Sequence, residues 1–480
     1  MMSELKTNAI ESIDSMAKLY TDISDKIWDQ PELSLKEHKA AQLYISTLRE
    51  LGFELTEKLG GIDTAFCAKY GKGRPIIGIL GEFDALDALS QKAGLCHAEE
   101  ASEGGNGHGC GHNLLGAGSL AAAVAVKKYL QDSGREGTVI FYGCPGEEGC
   151  ASKAFLARER VWKELDAALC WHPSDVNQVR TGTNNSSLQV LYKFKGVAAH
   201  AAGDPHNGRS ALDAVELMNI GVQFLREHMP DDCRIHYAIT DAGGVSPNVV
   251  QAKADVLYMV RANRVIDSVK LLKRVDDIAK GAALMSGTEY DRIFIDGTAD
   301  ILPNYALEEV LYKNFQQISL PEYSDFDCSF AQNLRATYEH AVHVPGIGAK
   351  FDPSIAKQVD ELTGKGQKAL NDFIMPFYSC TGFMPGSSDV GDVSWLTPTA
   401  QIETLTWPAD IPGHSWQVVS CGKSEIAHKG MLLAGKVLAA AAIDLIDEPE
   451  LLKAARAEFE EKSRGGYVCP IEPDAVPIVL

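Results

Sequence analysis

The stretch Pro75-Ile-Ile-Gly-Ile-Leu-Gly-Glu-Phe-Asp84 is the key to the fold of this chain. Its first half is a short, continuous apolar run, the pattern of a strand that is buried on both faces of its sheet. Its second half turns polar, and Glu82 and Asp84 come directly after the apolar run. A strand of this kind needs helices on both faces of its sheet, which predicts an α/β fold.

The alternation of helix and buried strand extends in both directions from this stretch. Residues 16–50 have a helical pattern before it, and Leu114–Leu130 and Ala151–Glu164 have one after it. Two further apolar runs, Thr138–Tyr142 and Ala167–Trp171, follow these two helical segments in turn. The alternation predicts a mainly parallel sheet covered by helices, in which ligands bind at the carboxyl ends of the strands.

A different pattern begins near Asn184. Its predicted elements have the order βαββαβ and are strand Ser187–Phe194, helix Ser210–His228, strands Ile235–Ile239 and Ala254–Arg261, helix Ile266–Met285 and strand Arg292–Asp296. This order predicts a compact α+β module inserted into the first domain. We therefore expect a catalytic, metal-binding domain of residues 1–186 and 301–480, and an inserted dimerisation or lid domain of residues 187–300.

Composition and charge narrow the functional classes. The 480 residues are 45% hydrophobic and 23% charged, as is usual for a globular protein. The formal net charge of −20 disfavours nucleic acids and anionic membranes as partners. The sequence has no apolar stretch of bilayer-spanning length and no signal-peptide pattern at its start. Its 11 cysteines have no framework spacing, which predicts reduced thiols and a cytoplasmic protein.

The segment Gly107-His-Gly-Cys-Gly-His-Asn113 contains the most specific functional signal. In an extended segment, Cys110 and His112 point the same way and can reach one ion together. The glycines between them let the backbone approach a ligand closely. A thiolate and an imidazole suit a divalent transition metal. By itself the motif is equally compatible with a tight turn that holds a buried cysteine.

Polar residues also follow the other predicted strands. Glu147 and Glu148 come after the second apolar run and His172 after the third. Because the carboxyl ends of parallel strands meet at one edge of a sheet, these loops should bring thiol, imidazole and carboxylate groups together. Adjacent glutamates in an extended segment point in different directions, so one can bind metal while the other faces water. The convergence favours a metal site over a set of unrelated polar turns.

The chain resembles the aminoacylase and carboxypeptidase family of di-metal amidohydrolases. Within that family it is similar to the branch that hydrolyses N-acyl amino acids and has a cysteine at the metal site. The resemblance covers nearly the whole chain, and its most specific motifs are Leu80-Gly-Glu-Phe-Asp-Ala-Leu86, Asn106-Gly-His-Gly-Cys-Gly-His-Asn113, Tyr142-Gly-Cys-Pro-Gly-Glu-Glu148, Gly196-Val-Ala-Ala-His-Ala201, Ser246-Pro-Asn-Val-Val250 and His414-Ser-Trp-Gln417. It implies hydrolysis of an amide bond, with the folate catabolite p-aminobenzoyl-glutamate as the expected substrate. The alternative is another N-acyl amino acid or a dipeptide.

The resemblance also implies roles for individual residues. Two divalent ions, Mn²⁺ or Zn²⁺, would be held by Cys110, His112, Glu148, His172 and His414. Glu147 would be the general base, and Asp84 would contact a ligand rather than an ion. In the wider family a histidine ligand lies two residues before this aspartate. Glu82 occupies that position here, which makes it a weaker ligand candidate.

Three further residues lie in the inserted module. The resemblance implies that His200 stabilises the oxyanion across a dimer interface, and that Asn248 and Arg261 bind the substrate. A guanidinium can clamp a carboxylate with two parallel bonds, although a surface salt bridge would explain Arg261 equally well. The expected partner is a second copy of the chain or a homologous protein that forms the other half of a heterodimer, the A chain of a two-protein enzyme. Two other classes stay open: a thiol hydrolase with Cys110 as the nucleophile, and a noncatalytic partner protein.

Overall fold

The computed structural model describes residues 2–338, 353–379, 382–384 and 386–479. The helices within these ranges are α1 Glu4–Ser15, α2 Ala17–Trp28, α3 His38–Glu50, α4 His112–Ser133, α5 Ser152–Arg158, α6 Ala211–Arg226, α7 Val265–Ser286, α8 Tyr305–Gln317, α9 Asp325–Arg335, α10 Pro353–Leu362, α11 Val390–Ser394, α12 Trp416–Cys421, α13 Glu425–Asp447 and α14 Pro449–Lys462. The strands are β1 Glu54–Glu57, β2 Phe66–Lys72, β3 Ile76–Glu82, β4 Gly137–Cys144, β5 Ala167–Ser174, β6 Val176–Arg180, β7 Thr183–Asn184, β8 Ser186–Lys195, β9 Arg234–Asp241, β10 Lys253–Ala262, β11 Glu289–Thr298, β12 Asn371–Ile374, β13 Phe383–Met384 and β14 Thr399–Leu405.

The chain divides into two compact units. The first comprises Met1–Thr183, Leu302–Met384 and Val393–Tyr467. The second comprises Asn184–Ile301, Pro385–Asp392 and Val468–Leu480. The catalytic role of one part and the dimerisation role of the other remain predictions.

The first unit is built on an eight-stranded sheet with the order β1-β2-β4-β3-β5-β14-β6-β12. Its central strands β4, β3, β5 and β14 run parallel, whereas β2 and β6 pair antiparallel with β4 and β14 on either side. The α/β class is confirmed, but the sheet is mixed rather than uniformly parallel. One physical reason is that the loop between β1 and β2 is too short for the crossover that a parallel pair requires.

Alanine-rich helices α4 and α13 pack against each other in the core of this unit. Their contact depends on small residues, because a Cβ at Gly435 would lie only 3.0 Å from the carbonyl oxygen of Gly118. The indole of Trp171, on β5, donates a hydrogen bond of 2.9 Å to the carbonyl of Leu115 in α4. These contacts fix the start of α4, where Cys110 and His112 lie, relative to the central strands.

The second unit contains the elements β8-α6-β9-β10-α7-β11, in the predicted order βαββαβ. Its strands form an antiparallel sheet with the order β11-β8-β10-β9. Helices α6 and α7 pack on each other and on this sheet. Strand β9 lies at one edge, and most of its residues are exposed.

Two observations bear on other predictions from the sequence. The helical segment predicted at Ala151–Glu164 is shorter, because α5 ends at Arg158 and Arg160 has the left-handed φ of 64°. Within the described ranges, we find no helix that combines the length and the hydropathy needed to cross a bilayer.

Candidate metal centre

Four adjacent parallel strands bring most of the candidate residues to one edge of the main sheet. These strands lie in the order β4-β3-β5-β14, so their carboxyl ends point the same way. Glu147 and Glu148 follow β4, and Asp84 follows β3. His172 lies near the end of β5, and the loop after β14 carries His414. The chemistry-bearing loops are therefore neighbours because their strands are.

The glycines of the Cys110 segment allow its close approach to these loops. Gly111 has φ of +77°, and a Cβ there would lie 2.8 Å from Pro173. The carbonyl of Gly109 accepts a hydrogen bond of 2.8 Å from the backbone N–H of His414. A Cβ at Gly109 would lie 3.3 Å from the Cα of His414. The segment is thus locked directly to the loop that carries His414, and side chains at these glycines would push the two apart.

Two groups of three donor atoms share the thiol of Cys110. Its Sγ lies 3.3 Å from Nε2 of His172, and Oε1 of Glu148 lies 3.3 Å from Nε2 of His414. The donor atoms of Cys110, His112 and His172 all lie within 4.8 Å of one another, and so do those of Cys110, Glu148 and His414. Two triads with one thiol in common are the arrangement that a thiolate-bridged pair of ions requires.

Unpaired donor atoms support a cation at this position. Among the residues that the structure describes, Nε2 of His112 and Oε1 of Glu148 are buried without a hydrogen bond of acceptable geometry. Leaving such a polar atom unsatisfied costs about 1–3 kcal/mol, which a bound cation would offset. The other ring nitrogen of His112 donates a hydrogen bond of 2.9 Å to Asp84, which fixes the tautomer that presents Nε2 to an ion. The donor set therefore fits divalent metal ions.

Protons occupy part of this cluster when no cation balances its charge. Burial opposes ionisation of Cys110, but the charges of His172 and His112 outweigh it and hold the thiol pKa well below its ordinary value. Hydrogen bonds with Cys110 and Glu148 raise the pKa of His414 to about 10. Burial, reinforced by the Cys110 charge, raises the pKa of Glu148 to about 7. Metal binding must displace these protons, so it should release them to solution.

Asp84 connects the ligand segments instead of contributing to either triad. One of its oxygens accepts the hydrogen bond from His112, and the other accepts bonds from the Ser34 hydroxyl at 2.8 Å and the Glu148 backbone N–H at 3.0 Å. Burial opposes ionisation of Asp84, but the bond from His112 outweighs it and lowers the pKa to about 2. Asp84 thus holds His112 and the Glu148 loop in register, in line with its expected contact with a ligand.

The first imidazole of the glycine-rich motif has a different role. His108 is absent from both triads, and its Nε2 donates a hydrogen bond of 3.2 Å to the carbonyl of Ile27. Burial lowers the pKa of His108 to about 4, so the ring is neutral at physiological pH. It anchors the motif to the end of α2.

Several buried polar residues around the centre were not anticipated from the sequence. Glu37 accepts a hydrogen bond of 2.8 Å from the backbone N–H of Gly146, and burial, with the charge of Asp84, raises the Glu37 pKa to about 8. Nζ of Lys153 lies 2.7 Å from Oε1 of Glu82. A single lysine in the apolar run 151–157 was a usable signal, whereas Glu37 has an ordinary polar neighbourhood in sequence.

The remaining candidate residues belong to the second unit. His200 and Asn248 are exposed and lie on adjacent segments, since His200 pairs with Val249 and the Ala201 N–H bonds to the Asn248 carbonyl at 3.0 Å. Arg261 lies on β10, and its Nε is 3.1 Å from Sδ of Met259. The structure thus brings His200 and Asn248 together within this unit.

The class of protein follows from the fold, the site and the sequence together. The chain belongs to peptidase family M20/M25/M40, whose model matches residues 78–411. The family resemblance read from the motifs is confirmed, and the chain is an amidohydrolase of the metallopeptidase type.

Individual relatives sharpen this placement. The chain is 41% identical to the B component of p-aminobenzoyl-glutamate hydrolase from Escherichia coli, over 100% of both chains. It is 27% identical to the Xaa-Arg dipeptidase of Mus musculus, over 95% of this chain and 93% of that one. The A component of the Escherichia coli hydrolase is 26% identical over 45% of this chain and 51% of its own length.

Solved structures share the fold at low sequence identity. A putative aminohydrolase from Staphylococcus aureus has a TM-score of 0.61 at 18% identity and covers 92% of this chain and 99% of its own. A dinuclear metal-binding peptidase of family M20 from Bacillus subtilis has a TM-score of 0.54 at 16% identity, with coverages of 90% and 99%.

Proposed function

We propose that this protein hydrolyses p-aminobenzoyl-glutamate to p-aminobenzoate and glutamate with the help of two divalent metal ions. The observation that carries the chemistry is the pair of donor triads that share Cys110. The substrate is inferred from the full-length similarity to one component of the hydrolase of that name. Similarity to an Xaa-Arg dipeptidase makes a dipeptide the second candidate substrate.

The ions would be held by Cys110, His112, Glu148, His172 and His414. When bound, such ions act as Lewis acids and lower the pKa of water. A site with one thiol and three imidazoles suits Zn²⁺, and its two carboxylate neighbours are also compatible with Mn²⁺.

Glu147 is the proposed general base. A carboxylate oxygen of Glu147 lies within 4.8 Å of a nitrogen of His112, so it borders the donor cluster without belonging to either triad that contains Cys110. From there it can take a proton from the attacking water and deliver it to the amide nitrogen that leaves. Its neighbour Glu148 is committed to His414, which divides the two roles between adjacent residues.

The second unit supplies the proposed oxyanion donor and carboxylate clamp. Nδ1 of His200 accepts backbone hydrogen bonds from Ala202 at 3.2 Å and Gly203 at 3.0 Å. The ring proton therefore lies on Nε2, which can donate to an oxyanion. Arg261, with Asn248, would bind the carboxylate of the released amino acid. We propose that this unit pairs with a second copy or with a homologous A component, so that His200 acts in the partner's site.

Metal content and substrate turnover test the proposal together. Purified protein saturated with Mn²⁺ or Zn²⁺ should contain about two ions per chain and cleave p-aminobenzoyl-glutamate. Chelation should abolish the activity, and added metal should restore it. A panel of N-acyl amino acids and Xaa-Arg dipeptides ranks the substrates by kcat/KM. Activity that survives removal of all metal but is lost on thiol alkylation would instead favour Cys110 as a nucleophile.

Replacing Arg261 tests carboxylate recognition. Arg261→Ala should lower kcat/KM for p-aminobenzoyl-glutamate by roughly 10- to 100-fold, since a hydrogen bond to a charged group contributes about 1.5–3 kcal/mol. An analogue with its α-carboxylate blocked as an amide should lose much less. Arg234→Ala is the matched control, because Arg234 pairs with Arg261 in the β9–β10 register and is exposed. Equal losses for the acid and its amide would mean that Arg261 is structural.

A further inference from the structure

A buried ion pair lies beside the candidate metal centre. The side chain of Lys153, on α5, is fully buried, and Glu82, at the end of β3, is 4% exposed. Nζ of Lys153 lies 2.7 Å from Oε1 of Glu82. Removing two charges from water costs more than their attraction usually returns, so such a pair is weakly explained by stability alone. Its position suggests a role in the site.

The second oxygen of Glu82 points at a candidate ligand atom. Oε2 of Glu82 lies 3.3 Å from Nε2 of His112, the ring nitrogen that Asp84 leaves available for an ion. This approach does not satisfy hydrogen-bond geometry among the described residues. A spacing near 3.3 Å is nevertheless what two ligands with bonds of about 2.0–2.2 Å to one ion would show. Ligand atoms of Glu82, His112 and Glu147 also lie within 4.8 Å of one another.

We propose that Glu82 is an additional oxygen ligand of the ion that His112 binds, and that Lys153 is the positioning residue that holds it there. The inference rests on the proposed metal centre and adds to it. Lys153 engages Oε1, which leaves Oε2 directed at the ion and prevents the carboxylate from turning away. Its single positive charge also balances the extra carboxylate. The weaker ligand candidate of the sequence thus acquires a defined role through a residue that the motifs do not contain.

Two single substitutions and their combination test this assignment. Glu82→Gln removes the anionic ligand, and Lys153→Met removes the ammonium group at similar length. In Mn²⁺ titrations of metal-free protein, each should weaken binding of one ion by about 10- to 100-fold. If Lys153 acts through Glu82, the double variant should bind no more weakly than Glu82→Gln alone. The double variant also removes both buried charges, so it keeps the test available if Lys153→Met folds poorly.

A second buried lysine provides the matched control. Lys6 is 4% exposed and pairs with Asp444 at 2.5 Å and Asn314 at 2.7 Å, neither of which is a candidate ligand. Lys6→Met should lower the thermal unfolding temperature and leave Mn²⁺ affinity unchanged. An equal loss of affinity in Lys6→Met would reduce the Lys153 effect to general destabilisation.

The remaining outcomes separate this inference from the proposed function. Unchanged or tighter Mn²⁺ binding in Lys153→Met overturns the positioning role, and unchanged binding in Glu82→Gln overturns the ligand assignment. In either case the wild-type metal centre still stands. If wild-type protein binds neither Mn²⁺ nor Zn²⁺, the proposed function fails and this inference fails with it.

Discussion

We expect Glu147→Gln to lower turnover by about a hundredfold or more while metal binding stays nearly intact. Glutamine keeps the size of the side chain but has no basic oxygen that can take a proton from water. Glu147 belongs to neither triad that contains Cys110, so its replacement should leave both triads in place. Single-turnover rates and metal content, measured on the same preparation, give the two quantities needed.

The neighbouring residue is a stringent control for this variant. Glu148→Gln makes the same chemical change one residue further on, in the triad with Cys110 and His414. We expect Glu148→Gln to lose metal affinity first and turnover as a consequence, so excess metal should partly rescue it. Excess metal should not rescue Glu147→Gln. Near-normal turnover in Glu147→Gln would mean that another group acts as the base.

The strands that position the site could be predicted where their sequence is locally distinctive. The apolar runs at β3, β4 and β5 indicate doubly buried strands, and the polar residues after them lie at one edge of the sheet. Strand β14 was not predicted, although it lies next to β5 and directs the chain to His414. Its pairing with β5 is a contact between distant parts of the sequence, which local periodicity cannot reveal.

The candidate ligands could be named in advance, but their connections could not. Residue types and motif spacing indicate which groups can bind a metal. They do not indicate that Asp84 links His112 to the Glu148 backbone, or that Lys153 is paired with Glu82. Those contacts depend on the packing of α5 and of the loops on the sheet. The antiparallel strands β2 and β6 likewise follow from connection geometry and not from any apolar pattern.

The role of His200 predicts a large effect that depends on assembly. His200→Ala should lower turnover by roughly a hundredfold, since a donor placed at a developing oxyanion contributes about 3 kcal/mol. His206→Ala is the matched control, because His206 is an exposed histidine on the same segment of the second unit. The exposed edge strand β9 offers a surface on which two such units can pair.

Complementation decides whether His200 acts across the interface. Glu147→Gln and His200→Ala chains, each nearly inactive, are mixed under conditions that exchange the chains between dimers. If His200 works in its neighbour's site, each mixed dimer has one site lacking both groups and one site with both intact. Random exchange at equal concentrations should then restore about a quarter of wild-type activity. Glu147→Gln mixed with the His206→Ala control calibrates the activity that an unaffected site contributes. If differentially tagged chains exchange but His200→Ala restores nothing, His200 acts in its own chain's site or outside catalysis.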